Sequence, residues 1–223
     1  MRRELQLKQE LFEEELKRML AEENLRISRE LHDNIGSQLT FLINSLDNFT
    51  YVELNTEIKN KIKNISSFAR KTLNDLRNTV WAIRTGSNEL TSLIIRINDY
   101  INRYRISVGN LEFQVKDNTK NSHALSSTQL LNLFRIFQES LQNTMKHANA
   151  SQYVLSFDDV ENGFIMKIED NGIGIDLDNF SESTSGMVSM KYRCQDAGGI
   201  FSIFNRVDGE SGTVIECLIA TNK

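Results

Sequence analysis

Apolar residues in the first half of the chain recur mostly at steps of three, four and seven: Leu5, Phe12, Leu16, Met19, Ile27, Leu31, Ile35, Leu39, Leu42 and Leu46. Such spacing lays one stripe along a helix and predicts a single long helix over residues 2–48, its other faces dense in Glu, Lys and Arg. A second run is more regular. Ile58, Ile62, Ile65, Ala69, Leu73, Leu76, Val80 and Ile83 alternate steps of three and four with one repeat of four, which predicts a helix over 56–84 with the seam of a bundle or coiled coil. A polar turn around Tyr51 to Asn55 makes the two a hairpin. Two helices bury little apolar surface by themselves, so dimerisation into a four-helix bundle is the economical arrangement. Packing of the hairpin against the C-terminal part is the alternative.

After Gly86 the period changes. The pattern predicts a helix over 89–105, a strand over 111–117, a helix over 127–148 and strands over 153–158 and 164–169. A polar loop through Ser185 follows, then a helix over 186–197 and strands over 200–205 and 213–220. Asn162-Gly163 and Asp208-Gly209 read as hairpin turns. Helices interleaved with hairpins predict an α+β sandwich, a mainly antiparallel sheet with helices on one face. Proline is absent, and eight of the eleven glycines fall between Gly163 and Gly212 while only Gly36 precedes Gly86. The glycines thus separate a helical part from a loop-bearing one.

A chain of 223 residues has room for two small domains. The net charge of -4 with both signs interspersed supplies no basic field, which argues against direct nucleic-acid binding. Cys194 and Cys217 have no companion at metal-ligand spacing and are expected to be reduced packing residues of a cytoplasmic protein. No stretch approaches the roughly 18 apolar residues of a membrane span, and the N-terminus is charged where a signal peptide would be apolar. The chain itself is expected to make no membrane contact.

Two segments carry candidate chemistry. RELHDNIGSQLTFL (Arg29 to Leu42) sets His32 beside Asp33 on a helix. A neutral imidazole is a nucleophile, and the adjacent carboxylate can orient or deprotonate the far ring nitrogen and stabilise the imidazolium that develops. An exposed His-Asp pair also occurs as local charge compensation. On the helix over 127–148, Glu139, Asn143 and Lys146 share one face while Phe134, Phe137, Leu141 and Met145 fill the rest. An acid, an amide and an ammonium so aligned suit water, a divalent ion and phosphate oxygens; the same spacing serves solvated helices as charge pairing. His147 favours the helix dipole in either case. Asp170 then opens a loop in which Gly172 and Gly174 let backbone approach a ligand closely. Its carboxylate could accept a hydrogen bond from an exocyclic amine. A lone Gly-x-Gly is weak, but the segments from Gly186 to Arg193 and Gly212-Thr213 add two more places for close approach.

In this order the motifs resemble the histidine kinase branch of the ATPase superfamily shared with gyrase, a heat-shock chaperone and a mismatch-repair ATPase. ESLQNTMKHA (Glu139 to Ala148) looks like the N box, DNGIG (Asp170 to Gly174) like the first glycine box, SGMVSMKYRCQDAGG (Ser185 to Gly199) like the second, and GTVIEC (Gly212 to Cys217) like the third. RELHD with Gly36 and Leu39 is similar to the phosphoacceptor helix of the NarL/DesK-like subfamily, which phosphorylates response regulators with helix-turn-helix output domains.

The resemblance implies an N-terminal signalling helix over 1–25, a dimerisation and phosphoacceptor domain over 26–86, and a GHKL-like catalytic domain over 87–223. It implies ATP and Mg2+ as cofactors, His32 as nucleophile with Asp33 as its acid-base partner, and Asn143 as magnesium ligand with Glu139 orienting water or metal. Lys146 and His147 would lie near the phosphates, Asp170 would read the adenine amino group, and Gly172, Gly174, Gly186 and Thr213 would complete the nucleotide site. The stretch 177–185 would form a short lid. The implied partners are a second copy of the chain and a response regulator; a membrane-anchored full-length parent is compatible with this pattern. One position departs from it. Relatives carry Gln or His four residues after the aspartate to position a hydrolytic water, and here that position is Ser37, with Gln38 next. A non-kinase ATPase that switches conformation, and a binding module in which His32 is incidental, are the competing readings.

Overall fold

The computed structural model describes residues 2–49, 55–84, 89–104, 111–175, 185–206 and 211–220. The expected turns at 51–54 and 208–209 and the lid at 177–184 lie outside the described residues. The chain divides into two compact units, Met1–Gly86 and Ser87–Lys223, taken separately below.

The first unit is helical. Helix α1 spans Arg2–Glu30, α2 spans Ser37–Phe49 and α3 spans Thr56–Arg84. The single helix expected over 2–48 is thus interrupted: across Leu31–Gly36 the backbone hydrogen bonds widen to the π step, five residues instead of four. α2 and α3 pack through Ile43, Ala69 and Leu73, with Leu39 half-buried beside them. At one end of this contact Asp47 accepts from Ser66 Oγ at 2.9 Å and pairs with Arg70; those two hydrogen bonds hold its carboxyl below the usual range. Of the predicted seam, then, Ala69, Leu73 and Val80 are consumed inside the unit. Ile58 and Ile65 remain exposed, together with Phe41 and Phe68, 71% and 72% exposed, which the seam did not include.

The second unit begins with α4 (Leu90–Tyr104), β1 (Glu112–Asp117) and α5 (Ser127–Asn143), whose end widens into a second π turn, Thr144–Ala148. There follow β2 (Gln152–Val160), β3 (Gly163–Asp170), α6 (Ser185–Asp196), β4 (Gly199–Asn205) and β5 (Thr213–Ala220). The sheet order is β1-β2-β3-β5-β4. β1 and β2 are parallel, as a pair joined through a helix can be, and the other pairs are antiparallel. The start of α5 is fixed by a reciprocal capping box between Ser126 and Gln129. Its far end stops at Asn149, which adopts the left-handed conformation at φ 51°.

Alternate residues of three strands face the helices: Tyr153, Leu155 and Phe157, then Phe164, Met166 and Ile168, then Ile215, Cys217 and Ile219, all buried. Tyr100 of α4 stands edge-on to Phe134 and Phe137 of α5 at 5.7 and 5.6 Å, and Phe137 reaches Tyr153 at 6.4 Å. The core therefore runs from α4 through α5 to the sheet. Cys194 and Cys217 are free and buried, and a hydrogen bond with Cys194 together with burial pushes the Cys217 thiol well up. Both are packing residues. Among the described residues no helix is long and apolar enough to cross a membrane.

Candidate functional site

The apolar row of β3 ends on a charge. Asp170 follows Phe164, Met166 and Ile168 on the helix-facing side, where it is only 8% exposed. A buried carboxylate demands hydrogen bonds, and three groups supply them. The Gly172 and Thr213 N–H groups donate to Oδ1 at 2.9 and 3.4 Å, and the Thr144 hydroxyl donates to Oδ2 at 3.3 Å. Beneath it, opposite in the β2 register, the buried Tyr153 hydroxyl shares a 2.6 Å hydrogen bond with Ser140. Burial pushes its phenol up despite that bond, and the Asp170 charge adds to the effect; Tyr153 stays neutral beside the carboxylate.

Asp170 forms part of the wall of a cavity of about 510 Å³. The same cavity gathers Glu139, Asn143, Lys146, His147, Gly174, Gly186 and Thr213, so residues from α5, the β3 loop, α6 and β5 converge. Lys146 and His147 are exposed at the end of α5, within the widened turn. Apolar walls come from Ile173, Met187, Met190, Ile203 and Ile215. At Gly186 the backbone comes close to Glu139: a Cβ there would lie 2.3 Å from its carboxylate oxygen, so a larger residue would displace that side chain. Among the described residues no three His, Cys, Asp or Glu side chains are grouped to hold a metal ion.

Gly172 has a different place from the one sequence suggests. It does not line the cavity; a Cβ on it would lie 2.3 Å from the Ala148 carbonyl oxygen, so the glycine lets the loop close on the end of α5. Asn171 completes that closure, accepting from the Ser151 and Gln152 N–H groups at 2.9 and 2.8 Å. Asn205 of β4 fastens the next stretch, accepting from the Ile175 N–H at 2.6 Å and donating to its carbonyl at 2.8 Å. Thr144 and Asn205 were missed by sequence reasoning. Thr144 had one local signal, its place one helical turn beyond Ser140 and beside Asn143; Asn205 had none.

In the first unit His32 lies on the π turn, 66% exposed at its side chain, with Nδ1 3.1 Å from Asp33 Oδ1. A proton on Nδ1 donates to that carboxylate and leaves the Nε2 lone pair free. His32 lies on a groove of about 380 Å³ whose lining includes Ser37, Thr40 and Asn44 of the α2 side and Leu76, Arg77 and Val80 of α3. Gln38 is not in that lining.

Residues 23–88 match the histidine kinase family. The sensor protein VraS of Staphylococcus epidermidis is 26% identical over 213 residues, 93% of this chain and 58% of the relative; the chain thus spans a little over half the length of the curated relatives it matches. Among solved structures, the Acinetobacter baumannii histidine kinase AdeS matches with a TM-score of 0.54 at 15% identity, covering 87% of this chain and 98% of that one. The blue-light activated histidine kinase EL346 of Erythrobacter litoralis reaches a TM-score of 0.56 at 15% identity, over 88% and 59% of the two chains. These structures bear on the fold: a helical N-terminal region followed by the mixed sheet domain of histidine kinases. The histidine-bearing segment thus matches the histidine kinase family in sequence, and the chain as a whole shares the fold of solved histidine kinases.

Proposed function

We propose that the chain is the catalytic core of a two-component sensor kinase that phosphorylates its own His32 from ATP and passes the phosphoryl group to an aspartate of a response regulator. The observation that carries this reading is the convergence of Glu139, Asn143, Lys146, His147 and Asp170 on one cavity, in a chain that also exposes His32 with its Nδ1 side held by Asp33. The Nε2 lone pair attacks the γ-phosphorus, an N–P bond forms, and the bond to the bridging oxygen breaks to release ADP. Asp33 keeps the Nδ1 proton and offsets the imidazolium charge. In the second step a regulator carboxylate displaces the imidazole, and the neutral ring returns.

In the cavity Lys146 and His147 attract phosphate oxygens, and Asp170 addresses the base. Glu139 and Asn143 fit magnesium, because one carboxylate and one amide oxygen beside phosphates are the partial ligand set that ion uses. When bound, it would offset charge developing on the phosphates. Incubation with γ-labelled ATP and Mg2+ should give acid-labile, base-stable label on the chain. Absence of such label, with nucleotide bound, would make it a non-kinase ATPase.

The active form is a dimer through the first unit. Phe41, Ile65 and Phe68 are exposed apolar side chains that such an interface would cover, whereas Leu73 and Val80 already pack within one chain. Replacing Phe41 and Phe68 together by Asp should therefore convert dimer to monomer without unfolding the hairpin, since an unpaired charge is costly to bury. Light scattering that still reports dimers would move the interface elsewhere.

Phosphatase activity toward the phosphorylated regulator should be weak. Ser37, not Gln38, faces the groove beside His32, and a serine reaches less far than an amide. Ser37→Gln should speed decay of the phosphorylated regulator about tenfold or more, because an amide that orients the attacking water lowers the entropic cost of its approach, and leave autophosphorylation close to wild type. Fast decay with the unmodified chain would show that another group positions the water.

A further inference from the structure

The groove at His32 contains one permanent charge. Among the nine residues that line it, Arg77 is the only lysine or arginine, and no carboxylate is present. The rest are His32, the small or hydroxyl residues Gly36, Ser37 and Thr40, the amide Asn44, and the apolar Phe41, Leu76 and Val80. The Thr40 hydroxyl already donates to the Gly36 carbonyl at 2.8 Å.

Two turns earlier on the same face of α3, Arg70 is paired with Asp47 of α2. Arg77 repeats that geometry one heptad later, but the α2 residues it faces across the groove are Thr40 and Asn44. Among the described residues Arg77 has no hydrogen-bond or ion-pair partner. Its guanidinium, a fork of five donors, is uncommitted, and the residue lines the same groove as His32. Asp33, the acid next to His32 in sequence, is occupied with His32 Nδ1. An unpaired arginine in a groove fits an anion that the unmodified chain does not contain.

We propose that Arg77 is the counter-ion of the phosphoryl group carried by His32. The inference rests on the reading of His32 as phosphoacceptor. A phosphoryl group on Nε2 brings close to two negative charges and three acceptor oxygens, the ligand that a bidentate guanidinium suits. Arg77 would hold the group in the groove between α2 and α3, oriented for the carboxylate that takes it.

The test uses phosphoramidate, from which an imidazole nitrogen displaces ammonia to form the N–P bond, so phosphorylation needs neither ATP nor kinase activity. Absence of ATP-dependent labelling would therefore refute the kinase reading and leave this experiment intact. The 31P resonance of phospho-His32 is assigned by its absence in His32→Ala and titrated with pH. In the wild type the second ionisation of the phosphoryl group should lie about one pH unit below that in Arg77→Gln, the low end of the effect of a nearby opposite charge. Arg77→Lys should fall between, as a point charge without the fork, and the wild-type difference should shrink in high salt. Arg77 is exposed, so these changes leave the core intact, which circular dichroism checks. Coincident midpoints in wild type and Arg77→Gln would overturn the proposal. So would unchanged midpoints with transfer to the regulator lost, an outcome that would give Arg77 to the regulator's surface instead.

Discussion

His32→Ala should abolish acid-labile phosphorylation completely while leaving the affinity for ATP unchanged within error. The residue stands in the first unit, whereas the cavity proposed for the nucleotide is built wholly from the second. His123 and His147 are the remaining histidines. His123 is buried with its Nε2 2.6 Å from Asp159, and His147 lines the cavity of the second unit. Asp33→Ala should then slow phosphorylation about a hundredfold or more, the usual worth of positioned acid-base assistance. Its cause would be the lost Nδ1 contact, which fixes which ring nitrogen carries the lone pair. Label on the His32→Ala chain at even a few per cent of wild type would remove the assignment. A full rate in Asp33→Ala would reduce that carboxylate to a solvated charge.

Most of the fold is legible from periodicity, because each long element has only one side that can be buried. α3 and α5 show it in their three-and-four spacing, and β3 in Phe164, Met166, Ile168 and Asp170, alternate residues on one face. The π turn at Leu31–Gly36 is not legible, since one extra residue in a turn shifts the apolar stripe too little to break its pattern. Nor does the spacing on α3 reveal that Leu73 faces α2 while Phe68 is left exposed; a stripe shows that a partner exists, not which one. The candidate site divides in the same way. Glu139, Asn143 and Lys146 are visible because they lie on one helix face. Thr144 and Asn205 act on residues 26 and 30 positions away, a relation that only the folded chain creates. Gly172 and Gly174 look equivalent in sequence, yet one closes on Ala148 and the other lines the cavity.

Asp170→Asn should weaken ATP binding by roughly ten- to a hundredfold and erase the preference for a base with an exocyclic amino group. In the wild type Oδ1 is engaged by the Gly172 and Thr213 N–H groups, and Oδ2 receives the Thr144 hydroxyl while keeping a lone pair for a ligand. An asparagine can keep its carbonyl toward Gly172, which preserves the loop, and its NH2 then takes the place of Oδ2. Thr144 can adapt, since a hydroxyl accepts as readily as it donates. The adenine amino group cannot, and two donors would face each other. The lost charge-assisted hydrogen bond is worth roughly 1.5 to 3 kcal/mol, which gives the stated range at about 1.4 kcal/mol per tenfold. Calorimetry with ATP and ITP on both proteins separates this from general damage. Wild type should bind ATP more tightly than ITP, whose base carries a carbonyl in place of the amine, and Asp170→Asn should bind the two alike or favour ITP. Equal ATP affinity in the two proteins, or an ATP preference that survives the substitution, would take the base-reading role away from Asp170 and leave it as the buried anchor of the β3 loop.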